Sequence, residues 1–170
     1  MYKLIKHLNR TAEIAVLFGN HLNLSENEIR SLYLAGKYHD IGKILIPKNL
    51  LYKEGKLTKD EFEIIKNHPN YSYKLLEDTR GVFSKDVLRA IKEHHERIDG
   101  KGYPLGISGN KIFYLSKILS LCDSYDAMIS NRCYQEKKSK KEAIIEIERG
   151  LGTQFDKELG LSFINFIKLS

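Results

Sequence analysis

Three stretches of this chain place a serine or threonine three residues before a glutamate: Ser25 and Glu28, Thr58 and Glu61, Ser139 and Glu142. Each pair can satisfy the free N–H groups of a helix's first turn from both sides, so each marks a helix start. Apolar residues at helical spacing follow all three: Ile29, Leu32, Tyr33, Ala35 and Gly36, then Phe62, Ile64 and Ile65, then Ile144, Ile145 and Ile147. The same period predicts a first helix over residues 3–22 with Leu4, Leu8, Ile14, Ala15, Leu17 and Phe18 inward. It predicts others after His68-Pro69 (Tyr71, Leu75, Leu76), from Ser84 to His94-His95 (Val87, Leu88, Ile91), over 113–129, and over 156–169. No run alternates in the manner of a strand. The expected fold class is all-α: one helical bundle of about seven or eight helices over residues 1–170. Gly42 to Pro47 reads as a loop or short extended turn.

A length of 170 residues suits one domain with a proper core. No stretch reaches the roughly 18 to 20 apolar residues of a membrane span. Met1 to His7 lacks an apolar signal region, so a cytoplasmic location is expected. The net charge of +6 is compatible with an anionic substrate. Its lysines and arginines are dispersed, and no DNA or RNA polymer is expected as a partner. The densest run, Lys137 to Lys141, reads as a solvated connection. Cys122 and Cys133 form no CxxC pair and read as free thiols.

The chemistry gathers on histidines and aspartates. His39-Asp40 ends an apolar helical run and offers an imidazole beside a carboxylate whose two oxygens can bridge two cations. Lys43 lies one helical turn on and can point at an anion those cations hold. His7 sits on the first helix, where in isolation it would be a surface histidine. His21, on the same helix, has no companion motif. His68 precedes a proline, which places it at a joint between helices. Adjacent helical residues point about 100° apart, so His94 and His95 converge only if their helix ends there. Glu96 to Pro104 then forms an aperiodic loop that can face a substrate. Asp123 and Asp126 lie three apart in the apolar run 113–129, where an unpaired carboxylate is costly.

Imidazoles and carboxylates suit iron, manganese, zinc, nickel or cobalt. The ligands outnumber the needs of one ion and match two ions sharing Asp40. Two such cations about 3.5 to 4 Å apart can hold a bridging hydroxide and clamp a phosphate oxygen, with a lysine offsetting the charge that builds. Hydrolysis of a phosphate ester is the reaction this set serves.

With His39-Asp40, His68-Pro69, His94-His95, Gly102-Tyr103-Pro104, Asp123 to Ala127 and Arg132 to Tyr134 together, the chain resembles the HD-GYP branch of the HD metal-dependent phosphohydrolases over nearly its whole length. The resemblance implies that His7, His39, Asp40 and Asp123 hold one divalent metal, iron or manganese foremost. Asp40 would bridge to a second held by His68, His94 and His95. Asp40 and Lys43 would be catalytic. Lys43, Asp126, Arg132, Gly102, Tyr103 and Pro104 would meet the substrate, cyclic di-GMP or the mixed cyclic GMP-AMP, giving pGpG or GMP. Lys3 replaces a glutamate found in three-metal relatives, so two metals are expected. Cys133 and Gln135 replace a proline and a lysine, with Lys137 as a substitute cation. Ser72 replaces a glycine and is expected to narrow the site. Such domains usually follow a sensory domain, absent here, so the chain is a minimal enzyme or a fragment. Two other readings stand beside this one. One is an HD-type hydrolase of another nucleotide or phosphate ester. The other is a non-catalytic module that binds cyclic di-GMP or docks a cyclase domain or regulator through Gly100 to Pro104. Either can be oligomeric.

Overall fold

The computed structural model describes residues 2–79, 81–130 and 137–169, with only the backbone of Tyr2 and Lys3. Among these residues the α-helices are α1 Tyr2–His21, α2 Glu26–Tyr38, α3 Lys48–Leu51, α4 Lys59–Ile65, α5 His68–Glu77, α6 Lys85–Glu93, α7 Tyr114–Ile129, α8 Lys140–Gly150 and α9 Lys157–Leu169. Extended pairing among them is limited to one bridge between Leu151 and Phe155. All three expected capping boxes close, and Ser84 caps α6. None of the described helices is long and apolar enough to cross a membrane.

Helix α7 carries the centre of the core. Leu115, Ile118, Leu119, Leu121 and Cys122 are almost wholly buried along it. They join Phe18 and Ala15 of α1, Leu32 and Ala35 of α2, Ile91 of α6, Ile147 of α8 and Phe163 of α9 in one cluster. Cys122 therefore belongs to the core, where burial pushes its thiol up and away from ligand chemistry. Helices α1 and α2 meet at Gly36, where a Cβ would stand 2.6 Å from the Ala12 Cα. That close approach holds His7, on α1, beside the C-terminal end of α2.

Three local expectations change. Gly42 to Pro47, read as a loop or short extended turn, does turn, but tightly: Ile41–Leu45 forms a 3₁₀ turn, and the short α3 follows. Its bonds reach back three residues, from Lys43 N–H to the Asp40 carbonyl at 2.9 Å and from Ile46 N–H to the Lys43 carbonyl at 3.1 Å. Ile46 alone enters the core from this apolar stretch, while Ile44 and Leu45 stay exposed. Tyr33 and Leu17, read as inward, are 43% and 58% exposed. Each sits at the edge of its helix's apolar stripe, and neighbours cover only the stripe's centre. The lysine run before α8 lies mostly in solvent, as expected.

Candidate metal centre

Five elements deliver the seven expected ligands. His7 comes from α1, His39 caps the end of α2 with Asp40 after it, His68 opens α5, His94 caps α6 with His95 after it, and Asp123 lies on α7. They converge as two groups, His7 with His39 and Asp123, and Asp40 with His68, His94 and His95. Within each group the facing ligand atoms all lie within 4.8 Å of one another. The ends of α2 and α6 explain how neighbouring residues share one centre. Both helices stop at the first histidine, so the next residue turns out of the helical surface. His94 and His95 thereby lie side by side, with tilted rings whose centroids are 4.0 Å apart.

The backbone fixes which ring nitrogen faces inward. Nδ1 of His39 donates to the Gly36 carbonyl at 2.9 Å, that of His68 to Ile65 at 2.8 Å, and that of His94 to Ile91 at 2.6 Å. A carbonyl only accepts, so Nδ1 carries the proton and Nε2 presents its lone pair. Nδ1 of His7 instead meets Asp126 Oδ2 at 2.6 Å. His95 is held between rings, 4.7 Å from Tyr103 and 5.0 Å from His68.

Asp40 lies between the two groups. Its Oδ1 is 3.1 Å from His68 Nε2, while Oδ2 is 3.6 Å from His39 Nε2 and 3.8 Å from His7 Nε2. Lys43 Nζ stands 2.5 Å from the same Oδ2 and keeps part of its side chain in solvent. Burial opposes ionisation of Asp40, but Lys43, His39 and His68 outweigh it and hold the carboxyl well below the usual range. Burial drives His94 well down and His95 down to about 3, so both rings are neutral. His7 goes the other way: burial opposes its charge, yet Asp123 and Asp126 raise it to about 9.

Nε2 of His39, His68 and His94 and Oδ1 of Asp40 are buried and make no hydrogen bond, while Nε2 of His7 faces Asp123 Oδ1 at 3.0 Å. An unpartnered buried polar atom costs about 1–3 kcal/mol. Four of them converging, on ligand types that favour divalent transition metals, fit cations held at this centre.

Several expected substrate contacts take other positions. Asp126 is fully buried, and its carboxylate accepts from His7, from Arg10 Nε at 2.6 Å and from Ser130 at 3.2 Å. It supports His7 from behind and presents nothing to a substrate. The Ser72 hydroxyl donates to the His39 carbonyl at 2.7 Å and accepts from Gly42 N–H at 2.8 Å. It clips the turn that carries Asp40. Gly102 packs on the ligand helix end, where a Cβ would stand 2.5 Å from the Glu96 Cα. Tyr103 reaches the site through His95 and His68, and Pro104 follows it, partly buried. Arg132, Cys133, Tyr134 and Gln135 lie outside the described residues, as does the Lys3 side chain, and Lys137 is exposed beyond them. His21 is exposed and stacks on Phe18, away from the centre.

Sequence reading missed the supports. Buried Glu96 accepts from Leu105 and Ile107 N–H at 2.6 and 3.1 Å and gathers the loop after His95. Buried Glu93 accepts from Phe113 N–H at 2.7 Å and ties α6 to the start of α7. Their one signal was position, a glutamate on either side of the histidine pair.

A sequence-family profile described as HD domain matches residues 2–159. The chain is 38% identical over 149 residues to the cyclic di-GMP phosphodiesterase response regulator RpfG of Xanthomonas campestris pv. campestris, covering 88% of this chain and 39% of that protein. It is 34% identical over 163 residues to a cyclic di-GMP phosphodiesterase of Thermotoga maritima, covering 96% and 44%. It is also 34% identical over 140 residues to the 3'3'-cGAMP-specific phosphodiesterase 1 of Vibrio cholerae, covering 82% and 32%. The chain thus spans less than half the length of these relatives. Its fold is similar to that of Bd1817 from Bdellovibrio bacteriovorus, with TM-score 0.78 at 19% identity over 96% of this chain and 52% of the other.

Proposed function

This chain belongs to the HD-domain family, and on that premise we propose a metal-dependent phosphodiesterase that opens a cyclic dinucleotide, cyclic di-GMP first, to pGpG or on to GMP. The observation that carries the reading is the set of unpartnered buried ligand atoms converging about Asp40, with Lys43 at their edge. Two divalent cations, iron or manganese first, would supply Lewis acidity at the phosphate and a nucleophile at neutral pH. His7, His39 and Asp123 would hold one, and His68, His94 and His95 the other. Asp40 directs an oxygen toward each set and would be shared. His94 and His95 are already neutral, so no proton competes at their ligand atoms. Lys43, anchored on Asp40, would offer its remaining protons to the phosphate oxygens as charge builds. The family's cyclic-dinucleotide relatives support the substrate class, and those named for 3'3'-cGAMP make that the second substrate to rank. This reading places the domain in the cytoplasm with the nucleotide.

The test is anaerobic purification, metal quantification, and chromatography of cyclic di-GMP and 3'3'-cGAMP with added ferrous or manganous ion. Two metals per chain and appearance of pGpG or GMP are expected, with both lost in Asp40→Ala. Turnover that survives Asp40→Ala overturns the reading. So does a two-metal protein that leaves both dinucleotides intact.

A further inference from the structure

The rings do not stop at the ligands. Tyr103 packs 4.7 Å from His95, and the Phe62 ring of α4 stands edge-on to it at 6.4 Å. Phe62 is 43% exposed, although it lies only one ring away from the ligand histidines. Lys66 Nζ covers both aromatics, 4.9 Å from the Phe62 centroid and 5.9 Å from that of Tyr103. None of the residues of α4 is fully buried. Phe62 and Ile65 instead form one wall of a groove of about 530 Å³ against Leu50 and Leu51 of α3, with Lys53, Lys56 and Lys59 along it.

An apolar groove walled by a half-exposed aromatic ring, with lysines along it and ring contacts leading to the candidate metal centre, suits a nucleobase. Flat bases stack on aromatic faces whatever their sequence, and lysines meet the phosphates joined to them. We propose that Phe62 is the stacking ring for a purine base of the phosphodiester substrate, with Lys66 closing the platform toward the metal centre. The proposal rests on the phosphodiesterase reading and specifies where the substrate's base lies. It makes Phe62 a specificity residue.

The experiment measures equilibrium binding of GMP and of ribose 5-phosphate, which lacks the base, to metal-loaded protein. Wild-type protein, Phe62→Leu and Phe62→Trp are compared, with helicity checked by circular dichroism. The wild type is expected to bind GMP at least tenfold more tightly than ribose 5-phosphate. Phe62→Leu should lose most of that difference by weakening GMP alone, and Phe62→Trp should retain it. Equal affinity of the wild type for the two probes, or a Phe62→Leu protein that binds GMP as the wild type does, overturns the platform. The two readings fail separately. Intact cyclic di-GMP beside a Phe62-dependent preference for GMP removes the phosphodiesterase and keeps the platform. Turnover of cyclic di-GMP without that preference does the reverse.

Discussion

Asp126 Oδ2 lies 2.6 Å from His7 Nδ1, on the side of the ring opposite Nε2, the atom that faces Asp123. The carboxylate is itself gripped by Arg10 through both Nε and Nη2, at 2.6 and 3.1 Å. A carboxylate behind a ligand imidazole fixes its tautomer and raises its basicity toward a metal.

On the two-metal proposal, Asp126→Asn is therefore expected to weaken the ion that His7, His39 and Asp123 would hold by about 10–100-fold. The ion that His68, His94 and His95 would hold should stay. Metal titration followed by elemental analysis reads this directly, as a fall from two ions per chain toward one.

His7 also makes metal loading depend on protons. Its value of about 9 means that metal-free protein holds a proton on this ring at pH 7. Loading the His7 group should release about one proton per chain, visible as a buffer-dependent enthalpy in calorimetry. The sign for stability follows. The folded value lies above the ordinary 6.5, so the folded chain binds a proton that the unfolded chain has released. This stabilisation is complete below pH 6.5 and is lost as pH rises through 9. The Tm of metal-free protein should fall across that window, and the fall should vanish in His7→Ala.

Lys43 touches the centre without belonging to either ligand group. Lys43→Ala should retain both metals and lower kcat by about 10²–10³-fold, the usual loss of one charge-stabilising donor. A variant that loses metal along with activity would instead make Lys43 a structural partner of Asp40.

Ser72→Ala removes two buried hydrogen bonds at once, to His39 and Gly42. A loss of about 2 kcal/mol is expected, a fall in Tm of roughly 4–8 °C at this chain length. Thermal unfolding of the metal-free protein isolates that effect from any change in metal affinity.

The helices and their starts were legible because their signals are local. A capping box and an apolar period lie within one or two turns of chain, and Ser25, Thr58 and Ser139 needed no distant partner to declare themselves. The paired ligands were legible for the same reason. His39-Asp40 and His94-His95 announce helix ends, and those ends are what let neighbouring residues share a centre. The turn after Asp40 was legible as a turn from its glycine and closing proline, but its 3₁₀ form was not, because its hydrogen bonds depend on the preceding helix end.

By itself, then, the sequence determined an all-α chain, its principal helix starts, and a set of imidazoles and carboxylates with metal-ligand chemistry. Only the tertiary structure decided which of those groups face one another. The crossing of α1 and α2 at Gly36 brings His7 in from what looked like a surface position. The bond from His7 to Asp126 spans 119 residues, and it places a residue expected at the substrate behind the His7 ring. Ser72 shows the same limit, its hydroxyl closing on residues 30 and 33 positions away. Periodicity reports which face of a helix is apolar. The partner that each polar side chain meets inside depends on how those faces pack.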